Sequence, residues 1–309
     1  MLKILIIGLG SIAKKHIDAL KALNVESKIY ALRSQKGASI IDGVINVYDL
    51  DNFDREIDFA IISNPTHLHS FYINSLANKN IPLFIEKPPL STLAEADELV
   101  KNINKIGLKT YVACNLRFHP CVSFVKNYID SSNKKRINEV NVYCGSYLPE
   151  WRPSVDYKQV YSANKVMGGG VHLDLFHEID YVKWFFDIPL NGSCIKRNKS
   201  SLDIDAYDYA NYSLEYANFC VNIVLNYYRK DAKRSLEILF EDETWQVDLL
   251  QNKITSSLHG LIYQPSDFTI LQTYKSQMQY FIDCLMNNQM PMNTFEESLE
   301  TLKVCLINE

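Results

Sequence analysis

Short apolar runs alternate with longer amphipathic stretches through the first third of the chain. Leu5 to Ile7 close an apolar run of strand length that starts at Lys3. Ile12 to Leu23 follows with Ile12, Ala13, Ile17, Leu20 and Leu23 at helical spacing, and Asn24 breaks the pattern. Further strands are predicted at Lys28 to Leu32, Val44 to Val47, Phe59 to Ile62, Pro82 to Ile85 and Thr110 to Ala113. Helices are predicted around Leu68 to Asn78 and Thr92 to Ile106. This alternation is that of βαβ units, in which a crossover helix returns the chain to the start of the next parallel strand. After Arg117 the rhythm changes. Val140 to Tyr147, Tyr207 to Tyr216, Phe219 to Tyr228, Arg234 to Phe240 and Thr244 to Leu250 alternate at period two and are rich in Tyr, Val, Ile and Phe. That pattern predicts a largely antiparallel sheet with one buried face. Helical patterns from Ile270 to Met286 and Thr294 to Ile307 close the chain, the latter after Pro291 and a cap at Asn293 or Thr294. The longest irregular stretch runs from Leu148 to Met167, and such loops often carry function.

The predicted fold is therefore α/β. An N-terminal doubly wound parallel sheet occupies residues 1–118, and an α+β domain with a large, mostly antiparallel open sheet occupies residues 119–309. At 309 residues the chain suits two domains. A net charge of -4 supplies no basic field for nucleic acid. Gly8 ends the opening apolar run far short of a membrane span, so no membrane partner and a cytoplasmic location are expected. The seven cysteines are scattered without a Cys-x-x-Cys pair, which predicts reduced, mostly buried thiols.

Gly8-Leu9-Gly10-Ser11-Ile12-Ala13 sits between the first strand and the first helix, a GxGxxA form of the Rossmann dinucleotide fingerprint. Gly8 permits the tight turn, Gly10 lets a pyrophosphate approach the backbone, and Ala13 lets the helix pack closely on the strand. The helix N-terminus at Ser11 and Ile12 then faces the phosphates. An acidic side chain at the end of the second strand is the usual partner of the NAD ribose. Here Arg33 and Ser34 stand there, with Lys36 beyond, a set suited to a 2′-phosphate. NADP is favoured over NAD on this ground. Arg33 stacked on adenine or lying in solvent is the alternative.

Four further segments complete a resemblance. They are Asn64-Pro65-Thr66-His67-Leu68-His69, Ile85-Glu86-Lys87-Pro88, Asn115-Leu116-Arg117-Phe118, and Gly168-Gly169-Gly170 followed by Asp174 and His177. With the glycine turn, they make the chain resemble the Gfo/Idh/MocA oxidoreductases, the family of glucose-fructose oxidoreductase and inositol dehydrogenase, over nearly its whole length. The resemblance implies hydride transfer between a nicotinamide and a sugar or sugar-derivative alcohol or ketone. It extends to a nucleotide-linked sugar destined for a surface polysaccharide. It also implies a homodimer or homotetramer formed through the second-domain sheet. Catalytic roles carry over to Lys87, Asp174 and His177. Cofactor contacts carry over to Ser63, Asn64, Pro65, His67, His69, Glu86, Lys87 and Asn115, beside the glycine turn.

The chemistry of these residue types agrees. Oxidation of a carbinol requires loss of its hydroxyl proton, which suits a group titrating near neutrality such as His177. Lys87, at the carboxyl end of a parallel strand, can donate to the reacting oxygen and stabilise developing negative charge. Asp174 precedes His177 by one helical turn, so a shared helix face would let it orient the imidazole or bind a second hydroxyl. Many relatives separate the two by four positions, and the shorter spacing leaves the Asp role open. A solvated Lys87 and a core His177 are the plain alternatives. His67 and His69 suggest a metal, but no thiolate or carboxylate cluster accompanies them, so no metal is expected. Trp151, Arg152 and Tyr157, with Tyr147 nearby, offer aromatic platforms and a cation for a sugar ring bearing a carboxylate or phosphate. Arg117 either joins them or pairs with an acidic neighbour. The rival from another class is a catalytically inactive regulator that senses a nucleotide or sugar on the same fold.

Overall fold

The computed structural model describes residues 1–34, 40–50 and 56–308. The chain forms two compact units. In the first, β1 (Leu2–Ile7), β2 (Ser27–Leu32), β3 (Val44–Val47), β4 (Phe59–Ile62), β5 (Leu83–Glu86) and β6 (Thr110–Ala113) form one sheet in the order β3-β2-β1-β4-β5-β6. Every pair in it is parallel. Ile4 to Ile7 are at most 1% exposed, as befits a central strand covered on both faces. The order reverses at β1, whose neighbours are β2 and β4, so ligands are expected at the carboxyl ends of β1 and β4. α1 (Ser11–Ala22), α2 (His69–Ala77) and α3 (Ala96–Ile106) make the crossovers. α3 starts later than its pattern suggested and ends on Gly107 at φ 61°, a left-handed C-cap.

α7 (Ile270–Met286) and α8 (Phe295–Cys305) follow much later in the chain, yet Thr269–Leu302 folds with this first unit. The division expected at residue 118 is corrected in both respects: the first break falls at Asn115, and the segment assigned to the second domain returns. The cause is specific packing. Phe281 of α7 is fully buried with its ring 5.3 Å from Phe59 and 5.5 Å from Phe84. Asn293 then extends the hydrogen bonding of β6, accepting from Val112 N at 2.9 Å and donating through Nδ2 to Val112 O at 2.8 Å. An amphipathic pattern marks a buried face without telling which partner covers it.

The second unit begins at Leu116 with α4 (Pro120–Asp130) and β7 (Ile137–Tyr147). α5 (Val171–Asp174) and α6 (Phe176–Phe186) follow the long loop. β8 (Asn191–Arg197), β9 (Tyr209–Glu215), β10 (Cys220–Asn226), β11 (Tyr228–Phe240), β12 (Thr244–Asp248), β13 (Lys253–Ser256) and β14 (Gly260–Tyr263) complete the unit. Its eight strands run β14-β13-β12-β11-β7-β10-β9-β8, antiparallel except for the parallel pair β7 and β10. One face is buried, by Val140, Val142, Val221, Ile223, Leu236 and Ile238 among others. The edge strand β8 buries only Cys194 and offers little apolar alternation to read. Six of the seven free cysteines are buried and Cys220 is exposed. Among the described residues no helix is long and apolar enough to cross a membrane.

Candidate active site

The carboxyl ends of β1, β4 and β5 bring three turns of the first unit together. Gly8 has φ 80°, and a Cβ there would stand 3.0 Å from Asn64 Cα, so only glycine fits this turn. A Cβ at Gly10 meets nothing within 4 Å, which leaves open space on the side where a pyrophosphate would approach. Gly10 is the N-cap of α1 and supplies no side-chain cap, and the first turn holds no acidic residue. The N–H groups and positive dipole end are therefore available to an anion. Ser11 is exposed and Ile12 half-exposed, whereas Ala13 is fully buried where the helix meets the sheet. These residues fit a dinucleotide.

Ser63 braces that turn by donating through Oγ to Ile7 O at 3.1 Å and Gly8 O at 3.3 Å. Arg33 leaves β2 with Nη1 donating to Asn46 Oδ1 at 3.3 Å, and Ser34 is exposed. Lys36 lies outside the described residues. Asn64 is half-buried, and Pro65 and His67 are exposed on the turn after β4.

Three expected cofactor contacts have other work in the structure. His69 is 1% exposed, with Nδ1 3.1 Å from Pro89 O and Nε2 3.0 Å from Asn64 O. Burial pushes its pKa below the ordinary imidazole value although both carbonyls favour the charged ring. It ties the turn after β4 to the turn after β5, and both nitrogens face carbonyls, leaving none for a metal. Glu86 is 8% exposed, its Oε1 2.5 Å from His16 Nε2 and its Oε2 accepting from Lys87 N at 3.2 Å. Asn115 donates through Nδ2 to Thr273 Oγ1 of α7 at 2.7 Å. Each is held by protein partners, so each positions a turn. Lys87, half-buried and followed by a cis bond to Pro88, is the residue that the Glu86 contact holds in place.

In the second unit the glycine run has a steric reason. A Cβ on Gly169 would lie 2.1 Å from Tyr161 O and 2.8 Å from Asn164 O, so the loop backbone packs directly on that residue. α5 ends at Asp174, Leu175 breaks the helix at φ -93° and ψ 39°, and His177 lies in the first turn of α6. The reading of Asp174 and His177 as one turn apart on one continuous helix is thereby corrected. Both are half-buried. Asp174 Oδ2 accepts from Tyr227 Oη at 2.6 Å. α6 is anchored on both flanks by guanidinium pairs. Arg234 Nε and Nη2 reach Glu178 at 2.7 Å and 3.1 Å, and Arg117 Nε and Nη2 reach Asp180 at 2.9 Å and 2.7 Å.

Arg117 is thus 6% exposed in a bidentate ion pair, with its guanidinium 5.3 Å from the Trp184 ring centre. Its expected place at the substrate is corrected to the acidic-neighbour alternative. Trp151, Arg152 and Tyr157 do converge, lining a small pocket with Leu148, Val160 and Ser162. Arg152 is exposed, Trp151 Nε1 donates to Ser146 Oγ at 2.8 Å, and Tyr157 Oη donates to Leu202 O at 3.1 Å. Tyr147 instead sits at the end of β7 with Lys230 Nζ 5.3 Å above its ring. Among the described residues no three His, Cys, Asp or Glu side chains cluster to hold a metal.

Sequence reasoning missed His16 and Tyr227. His16 stands among Ala13, Ile17 and Leu20 on the buried face of α1, and a polar residue on an apolar stripe was the available signal. Tyr227 sits between two strand patterns among many tyrosines, with nothing to single it out.

A model of an oxidoreductase family with an NAD-binding Rossmann fold, GFO_IDH_MocA, matches residues 2–114. The uncharacterized oxidoreductase YrbE of Bacillus subtilis is 24% identical over 234 residues, 72% of this chain and 65% of that protein. The chain thus aligns with less than two thirds of that curated relative's length. Two solved structures share the fold. Levoglucosan dehydrogenase in complex with NADH and levoglucosan superposes with a TM-score of 0.84 at 15% identity, covering 99% of this chain and 95% of that one. The WlbA dehydrogenase from Bordetella pertussis with NADH and UDP-GlcNAcA gives 0.80 at 17%, covering 98% and 93%. The parallel six-stranded sheet and its glycine turn lie within the matched residues 2–114, and it is this part of the chain that is similar to the NAD-binding Rossmann fold of that oxidoreductase family.

Proposed function

We propose that this protein is an NAD(P)-dependent oxidoreductase acting on the alcohol or ketone of a sugar or sugar derivative. The observation that carries the reading is the turn after β1, where Gly8 is sterically required and Gly10 faces open space before an uncapped helix. When bound, the nicotinamide supplies the hydride-accepting ring. Lys87, held by Glu86, donates to the reacting oxygen and steadies its developing negative charge. His177 takes the hydroxyl proton as general base. Asp174 orients the imidazole or binds a second hydroxyl. Trp151, Arg152 and Tyr157 receive the rest of the sugar, with a cation for a carboxylate or phosphate.

Arg33 in place of an acidic residue supports NADP, while the likeness to NADH-bound structures supports NAD. A nucleotide-linked sugar, and with it surface polysaccharide synthesis, is supported by the likeness to a dehydrogenase holding UDP-GlcNAcA. Association through the second sheet is supported by its tyrosine-bearing outer face, with Tyr143, Tyr147 and Tyr209 half-exposed and Tyr228 exposed. A cytoplasmic location suits the cofactor.

Fluorescence titration with NADH and NADPH, followed by turnover with myo-inositol, glucose 6-phosphate, levoglucosan and a UDP-linked sugar, tests the reading. Binding of at least one nucleotide and reduction with at least one sugar are expected. No affinity for either nucleotide would overturn the proposal, and binding without turnover across a broad panel favours a sensor. Arg33→Asp shifts the preference from NADPH towards NADH if Arg33 holds a 2′-phosphate.

A further inference from the structure

Asp174 does not stand by itself in the second unit. Tyr227 is fully buried immediately after β10, and its main chain is fixed on both sides. Its N–H donates to Asp208 O at 3.0 Å, and its carbonyl accepts from Leu148 N at 2.8 Å, where the long loop begins. From this anchored position Oη donates to Asp174 Oδ2 at 2.6 Å, the short distance typical of a hydroxyl bonded to a carboxylate. Burial, and then the charge of Asp174, push the phenol's pKa well above its ordinary value, so Tyr227 keeps its proton and remains a donor. Ser162 acts on the same phenol in the opposite sense, a smaller effect that lowers its pKa. The Trp151 ring meets the Tyr227 ring edge-on, centres 5.3 Å apart at 90°. Ser162 and Trp151 both line the pocket that also holds Arg152 and Tyr157.

We infer that Tyr227 is the positioning residue of this site, holding the Asp174 carboxylate in its working orientation and giving it a common support with the Trp151–Ser162 pocket. The inference rests on the proposed role of Asp174 in turnover. Its geometry follows from the helix break at Leu175, since α5 ends at Asp174 and α6 alone does not orient that side chain. A carboxylate at a helix end is free to rotate unless something grips it, and a preorganised site needs such a grip.

A mutant cycle of Tyr227→Phe, Asp174→Ala and the double variant tests this in two readouts. In urea unfolding, Tyr227→Phe lowers the folding constant about 10–100-fold while Asp174 is present, the range for a hydrogen bond to a charged group. It lowers the constant by less than about threefold once Asp174 is gone, because the phenol then has no carboxylate to hold. Equal losses in both backgrounds would mean that the ring acts by packing alone, and the inference would be wrong. In turnover on the sugar that the panel selects, Tyr227→Phe lowers kcat by on the order of tenfold with little change in KM, and adds nothing to the loss in Asp174→Ala. A loss confined to KM, or one additive with Asp174→Ala, also overturns it. Should Asp174→Ala turn over normally, the proposed function has misplaced its carboxylate, while the unfolding cycle still decides what Tyr227 does.

Discussion

Replacing Gly10 by alanine separates the proposed nucleotide-binding role of the first turn from its structural role. The added Cβ meets nothing within 4 Å, and Gly10 has an extended backbone at φ -81° and ψ -168°, so the fold accepts the methyl group. An alanine N-cap is worse than glycine by about 0.5–1 kcal/mol. Against that, removing a glycine from the unfolded chain stabilises by about 0.4–1 kcal/mol. The two nearly cancel, and the midpoint of thermal unfolding is expected within about 2 °C of the parent. The pyrophosphate is affected differently, because the methyl occupies the space it needs. Overpacking of a tight contact costs about 1–3 kcal/mol, which at 1.4 kcal/mol per tenfold weakens NADH binding by about 5–150-fold. Gly8→Ala is the counterpart: φ 80° and Asn64 Cα at 3.0 Å forbid a Cβ, and about 1–3 kcal/mol of stability is lost. NADH fluorescence titration with circular-dichroism melting distinguishes the two. Parent-like NADH affinity in a folded Gly10→Ala protein would refute the claim that this turn cradles the dinucleotide.

Two further outcomes follow from buried groups in the second unit. Asp180→Ala strands the Arg117 guanidinium, whose pair is 5% and 1% exposed, and should cost about 3–5 kcal/mol in urea unfolding, whereas Arg117→Met with Asp180→Leu should be nearly neutral. A loss below about 1 kcal/mol for Asp180→Ala would show that the pair is not the anchor of α6. His119 caps α4 by accepting from Cys121 N through Nδ1 at 3.2 Å, while Nε2 lies 3.0 Å from Asn252 Oδ1, an arrangement that requires the neutral ring. Burial lowers its pKa to about 4 from 6.5, so between those values the unfolded chain binds the extra proton. Its contribution, about 3 kcal/mol at most, is complete above pH 6.5 and is lost as pH falls towards 4. Asn, which also caps helices, should flatten that slope in His119→Asn, and an unchanged slope would contradict the assignment.

What could be read from sequence divides along a physical line. β4 and the Ile4 to Ile7 part of β1 were legible because strands buried on both faces are apolar without interruption, and the Gly8 turn because only one residue type satisfies its φ. β8 was not, since an edge strand with one buried residue hardly differs from a polar loop. The break at Leu175 was illegible because leucine is a good helix former, and nothing in Asp174-Leu175-Phe176 signals that the backbone leaves the helix there. Arg117 showed a cation but not its partner, 63 positions away on α6.

The residues that position the site were the hardest to see, and the reason is separation along the chain. Glycine roles are local, decided by the backbone of the residue itself and a neighbouring turn. A positioning residue is defined by what it touches. His16 acquires its role from Glu86, 70 positions on, and Tyr227 from Asp174, 53 positions back. Without those partners His16 is one more member of a helical face and Tyr227 one of 19 tyrosines. The candidate reacting groups Lys87, Asp174 and His177 were found through the segments that carry them, each with glycine or proline close by to fix a turn. Holding such groups to within a fraction of an ångström falls to partners brought in by the fold. Substitutions at His16 and Tyr227 should therefore disturb turnover through Glu86 and Asp174, although neither residue belongs to a motif.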